Sequence, residues 1–238
     1  MHIFHASPNH EGERGNCAVV LFHGFPAESV VDKSYLPREK NQDLAEFICE
    51  KMSIDAFVPH YKGLGKSAGQ FSFVEAITDS IQFCENLINQ KDFKFLKLIG
   101  HSFGGFVAMN VAKQLRYNLQ KLILLSPASQ IPEGREKDLL IEGAKENVPF
   151  LFDYKSIDEY ESELAQLKNR FNPNDFLQEL EQFKPIVIHA KEDETIPLER
   201  NRSFFEKVKG STFIEIDSDH SFDKNRPLLF AKILELLG

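Results

Sequence analysis

Residues 95–108, FLKLIGHSFGGFVA, hold the stretch on which the fold turns. Phe95 to Ile99 is a short apolar run of the kind that forms a buried strand, and from Gly105 to Leu115 the pattern becomes helical. Between them Gly100-His101-Ser102-Phe103-Gly104 matches G-x-S-x-G. Such a segment turns a strand sharply into a helix, lifts a serine hydroxyl above the sheet edge, and needs glycines where side chains would collide with the neighbouring strand and helix. Alone the pattern is common. Its position between a strand and a helix, with Gly105 following, makes it informative. The helix that starts there also aims its positive end at any anion formed beside the serine.

On both sides of that turn, short apolar runs alternate with longer amphipathic stretches. Strands are predicted at His2 to His5, Ala18 to Phe22, Ile54 to Val58, Phe95 to Ile99, Leu122 to Leu125, Ile186 to His189 and Phe213 to Ile216. Helices are predicted at Gln42 to Lys51, Phe73 to Asn89, Gly105 to Leu115, Leu198 to Val208 and Pro227 to Leu237. In the second helix Val74, Ile77, Ile81, Cys84, Leu87 and Ile88 recur at helical spacing and define the face expected against the sheet. The alternation predicts an α/β fold, a mostly parallel central sheet with helices on both faces. It stops between Ser129 and about Phe183, where Pro132, Gly134, Gly143 and Pro149 precede a charged, leucine-spaced segment from Ile157 to Leu167. The expected organisation is one core domain made of residues 1–128 and 184–238, with a helical insertion at 129–183.

A serine nucleophile needs a base and a group to orient it, and after a G-x-S-x-G turn the chain order is acid, then histidine. Asp193 lies in the polar turn that follows the strand Ile186 to His189. Its neighbours Glu192 and Glu194 are weaker candidates, because adjacent side chains point in different directions. His220 follows the strand Phe213 to Ile216, in a loop able to reach back over the sheet. With an ordinary pKa of about 6.5, a histidine takes and returns a proton near neutrality. The developing oxyanion needs fixed N–H donors. The amide of Phe103, next after the serine, is one. Phe25, in the His23-Gly24-Phe25 loop after the strand Ala18 to Phe22, supplies the other, and the His23 ring is read as a brace for that loop.

Composition narrows the class. The chain has 238 residues, of which 42% are hydrophobic and 27% charged, as in ordinary globular domains. A net charge of -8 argues against nucleic acid as a partner. No apolar run approaches the ~18 residues of a membrane span. The N-terminus lacks the pattern of a secretory signal, so a cytoplasmic protein is expected. Cys17, Cys49 and Cys84 are an odd set without zinc spacing, and none of the remaining histidines has a partner at metal-ligand spacing. Neither metal nor cofactor is expected. Gly65-Lys66-Ser67 is not a phosphate-binding loop, because His60 stands where that loop needs a glycine.

Taken in order, His23-Gly24-Phe25, Gly63-Leu64-Gly65-Lys66-Ser67, the serine turn, Asp193 and His220 resemble the α/β-hydrolase family over nearly the whole chain. Within it, the 23–25 loop, Ala68-Gly69-Gln70-Phe71-Ser72 and the insertion are similar to small carboxylesterases of the cinnamoyl and feruloyl esterase type. The resemblance implies that Phe25 and Phe103 carry the oxyanion donors and that the insertion forms a lid. Many relatives have an Asp and an Arg where this chain has His60 and Lys62, and the short region before Ala18 implies a sheet one edge strand short of the usual eight. The expected activity is hydrolysis of small-molecule esters with small or medium apolar or aromatic acyl groups, through an acyl-serine intermediate. Phe150, Phe152 and Tyr154 of the insertion are the candidate substrate contacts, beside Tyr160, Phe171 and Phe176. A peptidase, a thioesterase and a metal-free haloperoxidase or lyase would use the same machinery, and a non-catalytic binding module on the same fold is the alternative from another class.

Overall fold

The computed structural model describes residues 1–8, 15–25, 38–64, 67–90, 93–153 and 155–238, with the side chains of 38–40, 147, 150 and 152 excepted. Seven strands among these residues form one sheet: β1 (His2–Ala6), β2 (Cys17–Phe22), β3 (Asp55–His60), β4 (Phe95–His101), β5 (Leu119–Leu125), β6 (Ile186–Ala190) and β7 (Thr212–Ile216). Their order across the sheet is β1-β3-β2-β4-β5-β6-β7; β1 runs antiparallel to β3 and every other pair is parallel. This is the predicted α/β architecture.

Alternation along a strand sends neighbouring side chains to opposite faces, so the continuous apolar run of β2 serves two cores. Ala18, Val20 and Phe22 join the core beneath α2 (Phe73–Asn89) and α3 (Phe103–Gln114). Val19 and Leu21 join the core beneath α1 (Arg38–Met52) and α8 (Arg226–Leu237). Helix α3 is buried from Phe103 to Ala112, which explains why its sequence is apolar on all sides. Between β5 and β6 stand α4 (Arg135–Asn147), α5 (Ile157–Arg170) and α6 (Leu177–Phe183). Helix α7 (Leu198–Phe205) then leads to β7.

Each predicted element is present, with ends displaced by a few residues. Helix α3 begins at Phe103, two residues ahead of Gly105, because the turn at Ser102 opens directly into it. Helix α7 ends at Phe205, short of Val208. The buried face of α2 is centred on Ala76, Ile77, Ser80 and Cys84, while Val74, Ile81, Leu87 and Ile88 lie at its margins, partly buried. Lys62 pairs with Asp79 and Glu75 of α2, at 3.1 and 3.4 Å. Ser67 is structural: its hydroxyl donates to the His60 carbonyl and accepts from the His2 amide, each at 2.7 Å, while Gly65 and Lys66 lie outside the described residues. The three cysteines are free thiols. Among the described residues no helix is long and apolar enough to cross a membrane, and no group of three or more His, Cys, Asp or Glu is placed to hold a metal ion.

Candidate active site

The loops that leave the carboxyl ends of β2, β4, β6 and β7 carry Phe25, Ser102, Asp193 and His220, so one sheet edge gathers residues far apart in the chain. Ser102 has φ 54° and ψ -123°, a conformation that costs a residue with a β-carbon on the order of 1–3 kcal/mol. The neighbouring strand and loop hold it there. The Ser102 amide donates to the Leu125 carbonyl at 3.0 Å, and its own carbonyl accepts from Gly105 at 2.9 Å and Ala128 at 2.8 Å.

The Ser102 hydroxyl lies 3.0 Å from His220 Nε2, and His220 Nδ1 lies 2.8 Å from Asp193 Oδ2. With Nδ1–H donating to the carboxylate, Nε2 is left as the acceptor for the serine proton. The Asp193 side chain is fully shielded from solvent, and its other oxygen accepts the Thr195 and Ile196 amides at 3.0 and 2.8 Å. Burial opposes its ionisation. The hydrogen bond and charge of His220, the Ile196 amide and the Ser126 hydroxyl outweigh that cost and hold the carboxyl below its usual range. Glu192 turns away to pair with Lys224.

Gly24 brings the 23–25 loop against the nucleophile turn: a β-carbon there would stand 3.0 Å from the Ser102 β-carbon. The buried His23 ring donates from Nδ1 to the Gly24 carbonyl at 2.8 Å, and the Tyr61 hydroxyl donates to the His23 carbonyl at 2.9 Å. Burial lowers His23 to about 4, so it is a neutral ring near pH 7. Because the Gly24 carbonyl and the Phe25 N–H share one planar trans peptide, pinning the first also orients the second. Among the described residues neither the Phe25 nor the Phe103 amide has a hydrogen-bond acceptor, and both residues line the cavity above Ser102.

That cavity measures about 460 Å³ and reaches Ser102 and His220 at its floor. Phe25, Phe73, Phe103 and Phe106 line it, together with Leu139, Leu140 and Ala144 of α4. A small apolar annexe, bounded by Leu151 and Tyr160, continues beneath α4 and α5. The lining also has polar members: Arg200 of α7, which pairs with Glu136 of α4, and Glu194. Tyr154 and the side chains of Phe150 and Phe152 lie outside the described residues. Phe176 is buried beneath Lys113, and Phe171 packs on the main core. The sequence reading missed Phe73 and the α4 face as cavity walls. A signal for α4 existed in the spacing of Leu139, Leu140, Gly143 and Ala144, but nothing local marks Phe73.

The sequence of residues 17–150, more than half of the chain, matches the family described as serine aminopeptidase, S33. No curated protein matches the chain. Similar solved structures include Est1E from Butyrivibrio proteoclasticus with ferulic acid bound, at 18% identity and a TM-score of 0.74, covering 99% of this chain and 93% of that one. A thermophilic esterase from Thermogutta terrifontis, malate bound, has 19% identity and a TM-score of 0.66 over 99% and 92% of the two chains. A monoacylglycerol lipase from Paleococcus ferrophilus has 20% identity and a TM-score of 0.64 over 100% and 98%. At such identities the likeness is one of fold. With a family match across the serine turn and that fold around it, the chain belongs to the serine aminopeptidase S33 family of α/β-hydrolase serine hydrolases.

Proposed function

We propose that the protein hydrolyses carboxylic esters of small or medium apolar acyl groups through an acyl-serine intermediate. The observation that carries this reading is the unbroken hydrogen-bonded chain Ser102–His220–Asp193 at the floor of an apolar cavity. As Ser102 Oγ attacks the ester carbonyl carbon, its proton passes to His220 Nε2, and Asp193 stabilises the resulting imidazolium. The carbonyl oxygen becomes an anion facing the Phe25 and Phe103 amides; each such donor is worth about 10²–10³ in turnover. When the tetrahedral adduct collapses, His220 gives the proton to the leaving alcohol, and a water repeats the sequence to release the acid. The insertion acts as a lid, with α4 as the outer wall of the acyl site. Phe150, Phe152 and Tyr154 of the insertion are the proposed substrate contacts; Leu151, between the first two in the chain, lines the annexe. Three unpaired cysteines fit a reducing, cytoplasmic setting.

Ser102→Ala is expected to lower p-nitrophenyl acetate turnover by about 10⁶-fold, to background, with the melting temperature retained. Turnover equal to wild type would overturn the reading. A second reading, aminopeptidase, is favoured by the family description and by Glu194 on the cavity wall, an acidic group suited to a free α-ammonium. Aminoacyl p-nitroanilides assayed beside acyl esters separate the two: faster turnover of the anilides selects the peptidase.

A further inference from the structure

His101 precedes Ser102 in the chain, yet its ring touches two of the three other loops at the site, those that carry His220 and Phe25. Its Nε2–H donates to the backbone carbonyl of His220 at 2.8 Å, and the two rings lie 4.9 Å apart, tilted by 41°. On its other side, a β-carbon on Gly24 would stand 3.3 Å from His101 Nδ1, so the ring also abuts the loop that carries Phe25. The His220 loop is not in a relaxed state: Phe222, two residues on, is buried with φ 59°, a left-handed conformation that a bulky side chain rarely adopts. A strained loop drifts unless contacts hold it. The loop's turn bond, Phe222 amide to Asp219 carbonyl at 2.9 Å, is internal to it. The bond from His101 ties the loop to the nucleophile strand.

We infer, on the hydrolytic reading proposed above, that His101 is a positioning residue: its hydrogen bond to the His220 carbonyl sets the spacing between the Ser102 hydroxyl and the His220 ring. Ser102 and His220 are 118 residues apart, and His101 joins them through one side chain rigidly linked to the nucleophile by a single peptide bond. Its neutrality fits the task. Burial, then the charge of His220, holds His101 down to about 3, with the hydrogen bond to the His220 carbonyl and then Asp193 opposing the shift and Arg226 adding to it. The ring therefore stays uncharged beside the imidazolium formed during the reaction, and keeps one proton on Nε2 for the carbonyl.

Three variants test this. His101→Leu removes the donor at similar volume and is expected to lower kcat for p-nitrophenyl acetate by about ten- to hundredfold, as a misplacement near 1 Å does, with KM changed less than twofold. His101→Gln, whose amide nitrogen reaches the same place, restores most of the loss. If the Leu chain does not fold, His101→Asn takes its place, being polar but too short to reach the carbonyl. A second readout is independent of turnover: the downfield proton resonance of His220 Nδ1–H bonded to Asp193 is expected to be sharp in wild type and the Gln chain, and broadened by exchange in the Leu or Asn chain. Equal kcat in all chains, or an equally sharp resonance, overturns the role of His101. If wild type cleaves no ester faster than Ser102→Ala, the hydrolytic reading has failed instead, and the resonance still decides whether His101 holds the ring.

Discussion

A β-carbon at position 104 would stand 2.1 Å from the Phe22 carbonyl oxygen, inside any tolerable contact. Neither partner can yield, since Phe22 ends a central strand and Gly104 lies in the first turn of α3. Gly104→Ala is therefore expected to cost more than about 3 kcal/mol, in the range of severe backbone and overpacking changes, and to be read as a lowered urea midpoint or loss of soluble protein. A chain that folds with wild-type stability would show that β2 and α3 approach less closely. The same residue-scale contact explains why the motif was readable: the serine turn is held by local backbone geometry, and glycine is the residue that geometry admits. The role of the ring at position 101 was not readable, because its partner is a carbonyl more than a hundred positions away.

Among the elements, α5 is fixed to the core by a buried side chain. Glu163 accepts the Phe73 amide, the first of α2, at 2.9 Å, and takes the Lys155 ammonium on its other oxygen. Lys155 also lies 4.9 Å from the centre of the Tyr160 ring. The carboxylate thus caps one helix with a residue of another, beside a phenylalanine that lines the cavity. Removing one partner of a buried pair leaves the other charge unmatched, at about 3–5 kcal/mol. Glu163→Ala is expected to loosen the insertion, seen as faster proteolytic cleavage within 129–183. Unchanged cleavage would mean that α5 is held by its apolar contacts alone. Helix α2 shows what periodicity cannot rank: its hydrophobic spacing was correct, but beside Ile77 and Cys84 the centre of the buried face includes Ala76 and Ser80, while Val74, Ile81, Leu87 and Ile88 stay partly buried.

For the whole molecule, His23, His101 and His189 make stability sensitive to acid. Burial lowers His23 to about 4 and His101 to about 3, and lowers His189 as well. As pH falls below about 6.5 the unfolded chain binds a proton at each, while the folded chain binds them only at lower pH. The unfolded state then holds more protons, so stability declines with acidification, by up to about 1.4 kcal/mol per pH unit for each histidine. Asp193, held below its usual range, contributes stability above the ordinary carboxylate pKa that is lost as pH falls through its folded value. Urea midpoints measured from pH 7 to 4.5 are expected to fall, and His23→Gln should lower the slope by about one proton; identical slopes would show that His23 titrates as it does in the unfolded chain.

The sequence by itself determined the layered α/β fold, the seven strands and the serine turn between β4 and α3, and it ordered the acid and base candidates along the chain. These depend on side-chain period, glycine placement and succession, which are properties of short stretches. Only the tertiary structure decided which residues wall the cavity, which carbonyl the His101 ring holds, and how Glu163 docks α5 onto α2. Those contacts arise where α4 and α5 fold back over the sheet edge and where the β7 loop crosses the β4 turn. No local pattern encodes them, because each partner is chosen by the packing of elements distant in the chain.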